Sequence, residues 1–63
     1  LEIHVEHPGP YSLCRPVGEL DAYTVGEFRE ALSGLATTNR LLIDLSEVPF
    51  MDSAGLGALI GGI

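Results

Sequence analysis

The stretch LLIDLSEVPFMDSAGLGALI, Leu41 to Ile60, joins an apolar run, a polar turn and a glycine-spaced apolar run. Its opening, Leu41-Leu42-Ile43-Asp44-Leu45, is nearly continuous in apolar residues. A strand buried on both faces of a parallel sheet has this pattern. Ser46 to Met51 then reads as a connection, and a second helix is expected over residues 53–63. Gly55, Gly57, Gly61 and Gly62 weaken that helix, each by about 1 kcal/mol relative to Ala,. So much glycine predicts close packing of the helix on the sheet.

Working back toward the amino terminus, Thr24-Val25-Gly26-Glu27 fits a capping box, with the Thr24 hydroxyl on the Glu27 N–H and Glu27 reaching back,. Val25, Phe28, Leu32 and Leu35 then share one face of a helix over 25–36. Thr37-Thr38-Asn39 reads as a loop. Before this helix, Tyr11 to Val17 predicts a strand, although Pro16 cannot donate to a ladder and suits a strand end or an edge. LEIHVE, Leu1 to Glu6, alternates apolar and polar residues as a half-buried strand does,. His7-Pro8-Gly9-Pro10 supplies a turn between the two. The expectation is an α/β fold with strands at 1–6, 11–18 and 41–45. The second and third strands should be parallel, because a crossover of helix length joins them.

Sixty-three residues permit one domain, and a chain this short buries only about 60% of its unfolded surface,. The single Cys14 cannot form an internal disulfide, which favours a reducing, cytoplasmic setting,. No apolar run reaches the roughly 18 residues of a membrane span. Nine acidic against three basic residues give a net charge of −6. That argues against nucleic acid and anionic membranes, which reward Lys and Arg, and permits a partner with a basic face. The chain stops at Gly62-Ile63 within an apolar run. It reads as a piece of a longer chain, with its apolar faces covered by later residues, by a neighbouring chain or by self-association.

The residues that carry chemistry gather at the strand ends. Asp52 and Ser53 sit where a strand gives way to a helix. The plain reading is an N-cap by either residue. A hydroxyl at that place also faces unpaired N–H donors and the positive end of the helix dipole, which suit a phosphate. A nucleophile elbow is disfavoured, since Met51 stands where it needs a glycine and both histidines lie in the first strand and its turn,. Gly55-Leu56-Gly57 begins a dinucleotide fingerprint, but Ile60 replaces the third glycine. His4, His7 and Cys14 are too few and too scattered for a metal site. No cofactor and no catalytic residue is expected. Glu19, Asp21 and Asp52 follow two strands of a βαβ unit, where ligands bind in such folds; the plain reading is three solvated loop carboxylates, and the functional one is an acidic rim around Ser53.

VGELDAYTVGEFREAL at Val17 to Leu32, followed by the stretch from Leu41 to Ile60, resembles a STAS domain. DSAGLG with its preceding strand is the specific part of the match, and GELD supports it. The resemblance implies a mixed sheet with helices on one side, of which residues 1–63 are the N-terminal part, incomplete at the C-terminus. In the anti-sigma factor antagonists of this family, a serine at the place of Ser53 is phosphorylated by an anti-sigma factor that is also a serine kinase. The unphosphorylated antagonist binds that kinase and frees the sigma factor, and a phosphatase resets the site. By resemblance Ser53 is the phosphoacceptor, with Asp21, Asp52, Glu19 and Gly55 as its neighbours. The other reading that the family allows is a fixed binding module, such as a transporter tail, in which Ser53 only caps a helix.

Overall fold

The computed structural model describes residues 1–35 and 40–61, so the expected loop at Thr37-Thr38-Asn39 and the ends of both expected helices, at 36 and 62–63, lie outside the described residues. The elements run β1 (Glu2–Glu6), β2 (Ser12–Val17), α1 (Val25–Gly34), β3 (Leu41–Ile43) and α2 (Ser53–Gly61). The sheet order is β1-β2-β3. β1 lies antiparallel to β2, with Ile3 opposite Pro16 and Val5 opposite Cys14. β3 lies parallel to β2, with Ser12 opposite Leu41 and Cys14 opposite Ile43. The expected parallel pairing is therefore present, and α1 supplies its crossover.

Alternation decides the face of β2. Ser12, Cys14 and Pro16 are buried, whereas Leu13, Arg15 and Val17 are half-buried on the other side. Cys14 shares a core with Leu20, Phe28, Leu32 and Ala58, so α1 and α2 cover the same face of the sheet. The apolar stripe of α1 lies as its spacing predicts, with Phe28 and Leu32 buried and Val25 and Leu35 packed beside them. Fully burying a side chain such as Phe28 is worth about 1.5–3 kcal/mol.

Pro16 is fully buried in the middle strand, not at an edge. The ladder explains how. The N–H groups of Ser12 and Gly18 both point toward the β3 side, donating to Arg40 O at 3.0 Å and Glu47 O at 3.1 Å. By alternation the Pro16 nitrogen points the same way, into the interval between Asp44 and Glu47 where the chain leaves the sheet. Pro16 thus falls where the ladder needs no donor.

Two expectations change here. β3 is shorter than 41–45 and is not buried on both faces: Leu41 is 37% and Leu42 54% exposed. The helices cover one face only, and among the described residues β3 pairs through one edge only. The strand stops because the Asp44 carboxylate accepts the Ser46 N–H at 2.9 Å and turns the chain. The glycine expectation holds at one position. A Cβ on Gly55 would lie 2.6 Å from the Leu20 carbonyl oxygen, while Gly57 and Gly61 face open space.

Candidate functional site

Beyond β2 and β3 the two chains stay side by side. Leu20 and Met51 form a parallel bridge. Leu20 donates to Phe50 O at 3.0 Å, and Asp52 donates to Leu20 O at 3.2 Å. Leu20 is fully buried and holds the two runs together. Each run ends on an aspartate: Asp21 opens the turn that leads into α1, and Asp52 directly precedes α2.

Asp21 accepts the N–H groups of Tyr23 at 2.9 Å and Thr24 at 3.1 Å through Oδ1. The Thr24 hydroxyl in turn accepts the Asp21 N–H at 3.0 Å and donates to Glu19 O at 2.9 Å. This is a reciprocal capping box, placed three residues earlier than the expected Thr24–Glu27 pair. Thr24 makes no side-chain bond at the start of α1, because its backbone is already helical and its hydroxyl is engaged with Asp21 and Glu19. The spacing Asp21-x-x-Thr24 was the signal: an aspartate caps as well as a serine or threonine does.

At α2, Asp52 carries the cap. Its Oδ1 accepts Ala54 N–H at 2.9 Å and Gly55 N–H at 3.1 Å, and its backbone oxygen accepts Leu56 N–H at 3.0 Å. Ser53 is the first residue of the helix, exposed to solvent. Its side chain makes no hydrogen bond among the described residues. Two consequences follow. Ser53 is not the cap. Two of the N–H groups expected to hold a phosphate, those of Ala54 and Gly55, are already occupied by Asp52, while the Ser53 N–H makes no hydrogen bond among the described residues.

Glu19 is exposed, Asp21 and Asp52 are half-buried, and Gly55 is buried against Leu20 and Met51. Tyr23, which the sequence reading passed over, is 97% exposed on the turn that Asp21 organises. Phe50 and Leu56 are exposed on either side of Asp52-Ser53 in the chain. No Lys or Arg occurs in residues 16–28 or 41–61, so the charged side chains of the two runs are all acidic, α2 carries none, and α1, packed against α2, brings the cation Arg29. The remaining candidates lie elsewhere. His4 Nε2 is 3.2 Å from Glu2 Oε2, and His7 Nδ1 is 3.0 Å from Ser12 Oγ. Among the described residues no cluster of His, Cys, Asp and Glu is placed to hold a metal. Cys14 is buried, and burial pushes its thiol pKa up, which suits a core residue. No described helix is long and apolar enough to cross a membrane.

The family model described as STAS domain matches residues 2–62. An anti-sigma-B factor antagonist of Listeria monocytogenes is 46% identical over 46 residues, which are 70% of this chain and 40% of that protein. A protein of the same name from Staphylococcus aureus is 44% identical over 46 residues, 70% of this chain and 43% of that one. The chain therefore spans well under half the length of these curated relatives. Among solved structures, the unphosphorylated anti-sigma factor antagonist SpoIIAA superposes with a TM-score of 0.73 at 25% identity, covering 95% of this chain and 58% of that one. The phosphorylated form of SpoIIAA, a Bacillus cell fate determinant, gives 0.69 at 25% identity, covering 97% and 59%.

Proposed function

Since the chain belongs to the STAS domain family, we propose that it is the N-terminal part of a cytoplasmic anti-sigma factor antagonist, switched by phosphorylation of Ser53. One observation carries the reading. The Ser53 hydroxyl is exposed at the start of α2, while Asp52 does the capping that would otherwise explain a serine there. The fixed-module reading assigned Ser53 to the cap and loses that support. The antagonist names of the relatives and the existence of a phosphorylated form of SpoIIAA point the same way.

The partner is then an anti-sigma factor with serine kinase activity. Ser53 Oγ attacks the γ-phosphorus of ATP. The new O–P bond forms as the bond to the β-phosphate oxygen breaks, ADP leaves, and the hydroxyl proton is released. A phosphatase later returns the serine by hydrolysis. The phosphoryl group adds about −1.5 to −2 charges beside Asp52. At about 5 Å, one pair of unit charges costs roughly 1 kcal/mol in water and about 3 kcal/mol at an effective dielectric near 20. A hundredfold loss of affinity needs about 2.7 kcal/mol. Repulsion and bulk at the interface therefore suffice, and the backbone changes little.

The test is a titration of the full-length protein with its kinase, with and without ATP. Ser53→Ala binds constitutively, and Ser53→Asp binds poorly. Equal affinity of the wild-type, Ala and Asp forms overturns the reading.

A further inference from the structure

We propose that Asp52 bars a phosphoryl group on Ser53 from the Ala54 and Gly55 N–H groups at the amino end of α2, so that these donors do not neutralise its charge and it stays toward solvent. The inference deepens the reading of Ser53 as phosphoacceptor and concerns how that site is regulated. A phosphoserine at the first turn of a helix has an obvious resting place, the unpaired N–H groups and the positive dipole end. In this chain two of those N–H groups are taken, and only the Ser53 N–H is left without a partner among the described residues. Asp52 Oδ1 already accepts the N–H groups of Ala54 and Gly55.

Asp52 is also held where it is. Its N–H donates to the carbonyl of Leu20, which is fully buried. Gly55 lies so close to that same carbonyl that even a methyl group finds no room. The first turn of α2 is therefore fixed against Leu20. For the phosphoryl group to enter, a pinned carboxylate must give up two charge-assisted bonds and remain beside a dianion. The elements around it are mostly acidic. Asp52 lies on the same turn, Glu47 on the preceding loop, and Glu19 and Asp21 on the run bridged to it. α1, packed against α2, carries the exposed Glu27, Glu30 and Arg29.

The consequence is a measurable property of the phosphate. Ordinary phosphoserine takes its second ionisation near pH ~6. An acidic neighbourhood without donors raises that midpoint, and a helix cradle lowers it. The experiment uses the full-length protein with phosphoserine installed at residue 53 by genetic encoding, so no kinase is needed. Wild type, Asp52→Asn and Asp52→Gly are compared by phosphorus NMR and by the amide signals of Ala54 and Gly55 across pH. Asn keeps an oxygen cap without the charge. Gly keeps the helix start at little cost and frees the donors. In wild type the midpoint is expected above that of free phosphoserine, with both amides unresponsive to phosphate ionisation. In Asp52→Gly the midpoint falls below that of Asp52→Asn, by up to about 0.7 unit. There both amides move downfield with the phosphate titration.

A wild-type midpoint at or below that of free phosphoserine overturns the inference. So do Ala54 and Gly55 amides that follow the phosphate in wild type. A kinase that ignores Ser53 overturns the functional reading and leaves this result standing.

Discussion

At the amino end of α2 the carboxylate of Asp52 accepts the N–H groups of Ala54 and Gly55, and the neighbouring hydroxyl has no structural duty among the described residues. This division of roles makes opposite predictions for adjacent residues. Asp52→Ala removes a cap and should cost about 1 kcal/mol, while Ser53→Ala should stay within about 0.5 kcal/mol of wild type. Denaturant midpoints of the full-length protein check both. The glycines separate in the same way. A methyl group on Gly55 meets the Leu20 carbonyl and side chain at 2.6 and 2.8 Å, so Gly55→Ala should destabilise by about 1–3 kcal/mol,. Gly57 faces open space within its helix, so Gly57→Ala should instead stabilise by up to about 1 kcal/mol,. The same denaturant series decides whether Gly55 alone is needed for packing.

At the scale of elements, two strand ends and two helix starts are tied through Leu20. The box between Asp21 and Thr24 is reciprocal, so its members should be coupled. Asp21→Ala and Thr24→Val should each destabilise the full-length protein by about 1 kcal/mol, and the double variant should cost less than their sum. A strictly additive cycle removes the box. A comparable turn ends β3, where Asp44 accepts the Ser46 N–H. That bond and a side-chain interaction with Ser46 hold the Asp44 carboxyl below its ordinary pKa. A depressed folded pKa means stability that is present above the unfolded pKa, near ~3.9, and lost as pH falls through the lower folded value. Asp44→Asn should therefore flatten the loss of stability on acidification below pH ~4. An unchanged acid limb in that variant would place the dependence elsewhere. β1 and β2 were legible in alternation and turn residues, and β3 in its apolar run, although not its end at Ile43 or its exposure. The capping box was not, because Thr24-x-x-Glu27 and Asp21-x-x-Thr24 are both good local patterns. The choice falls to the second because Asp21 directly follows the bridge between Leu20 and Met51, where the chain leaves the sheet.

For the whole molecule the salient feature is how little of the apolar surface these elements cover. Leu42, Phe50, Leu56 and Ile60 are exposed, and Ser53, Leu56 and Ile60 follow one another along one side of α2. Exposed apolar side chains on that scale promote association. Residues 1–63 made as an isolated piece should sediment as species larger than the monomer. Leu56→Ser combined with Ile60→Ser should restore the monomer, and an unaltered sedimentation profile would exclude α2 as the contact. Charge acts over a longer range. With a net charge of −6 and no Lys or Arg in residues 41–61, encounter with a basic partner face should slow as salt is raised past ~0.15 M,. Association rates of the full-length protein with the kinase proposed as its partner measure this, and a rate independent of salt excludes electrostatic steering.

Sequence alone determined the order of the elements, the parallel pairing of β2 with β3, the buried stripe of α1 and the placing of Asp52-Ser53 at a strand-to-helix seam. The parallel pairing follows from the length of the crossover between the strands, and each of the others depends on contacts near in the chain or on a period that local residues display. Tertiary structure decided which of Asp52 and Ser53 caps α2, why Pro16 is tolerated in the middle strand, and that among the described glycines of α2 only Gly55 is needed for close approach. Those answers turn on where Leu20, Glu47 and Met51 lie in space. No periodicity within α2 or β2 reports a carbonyl brought in from another run of the chain.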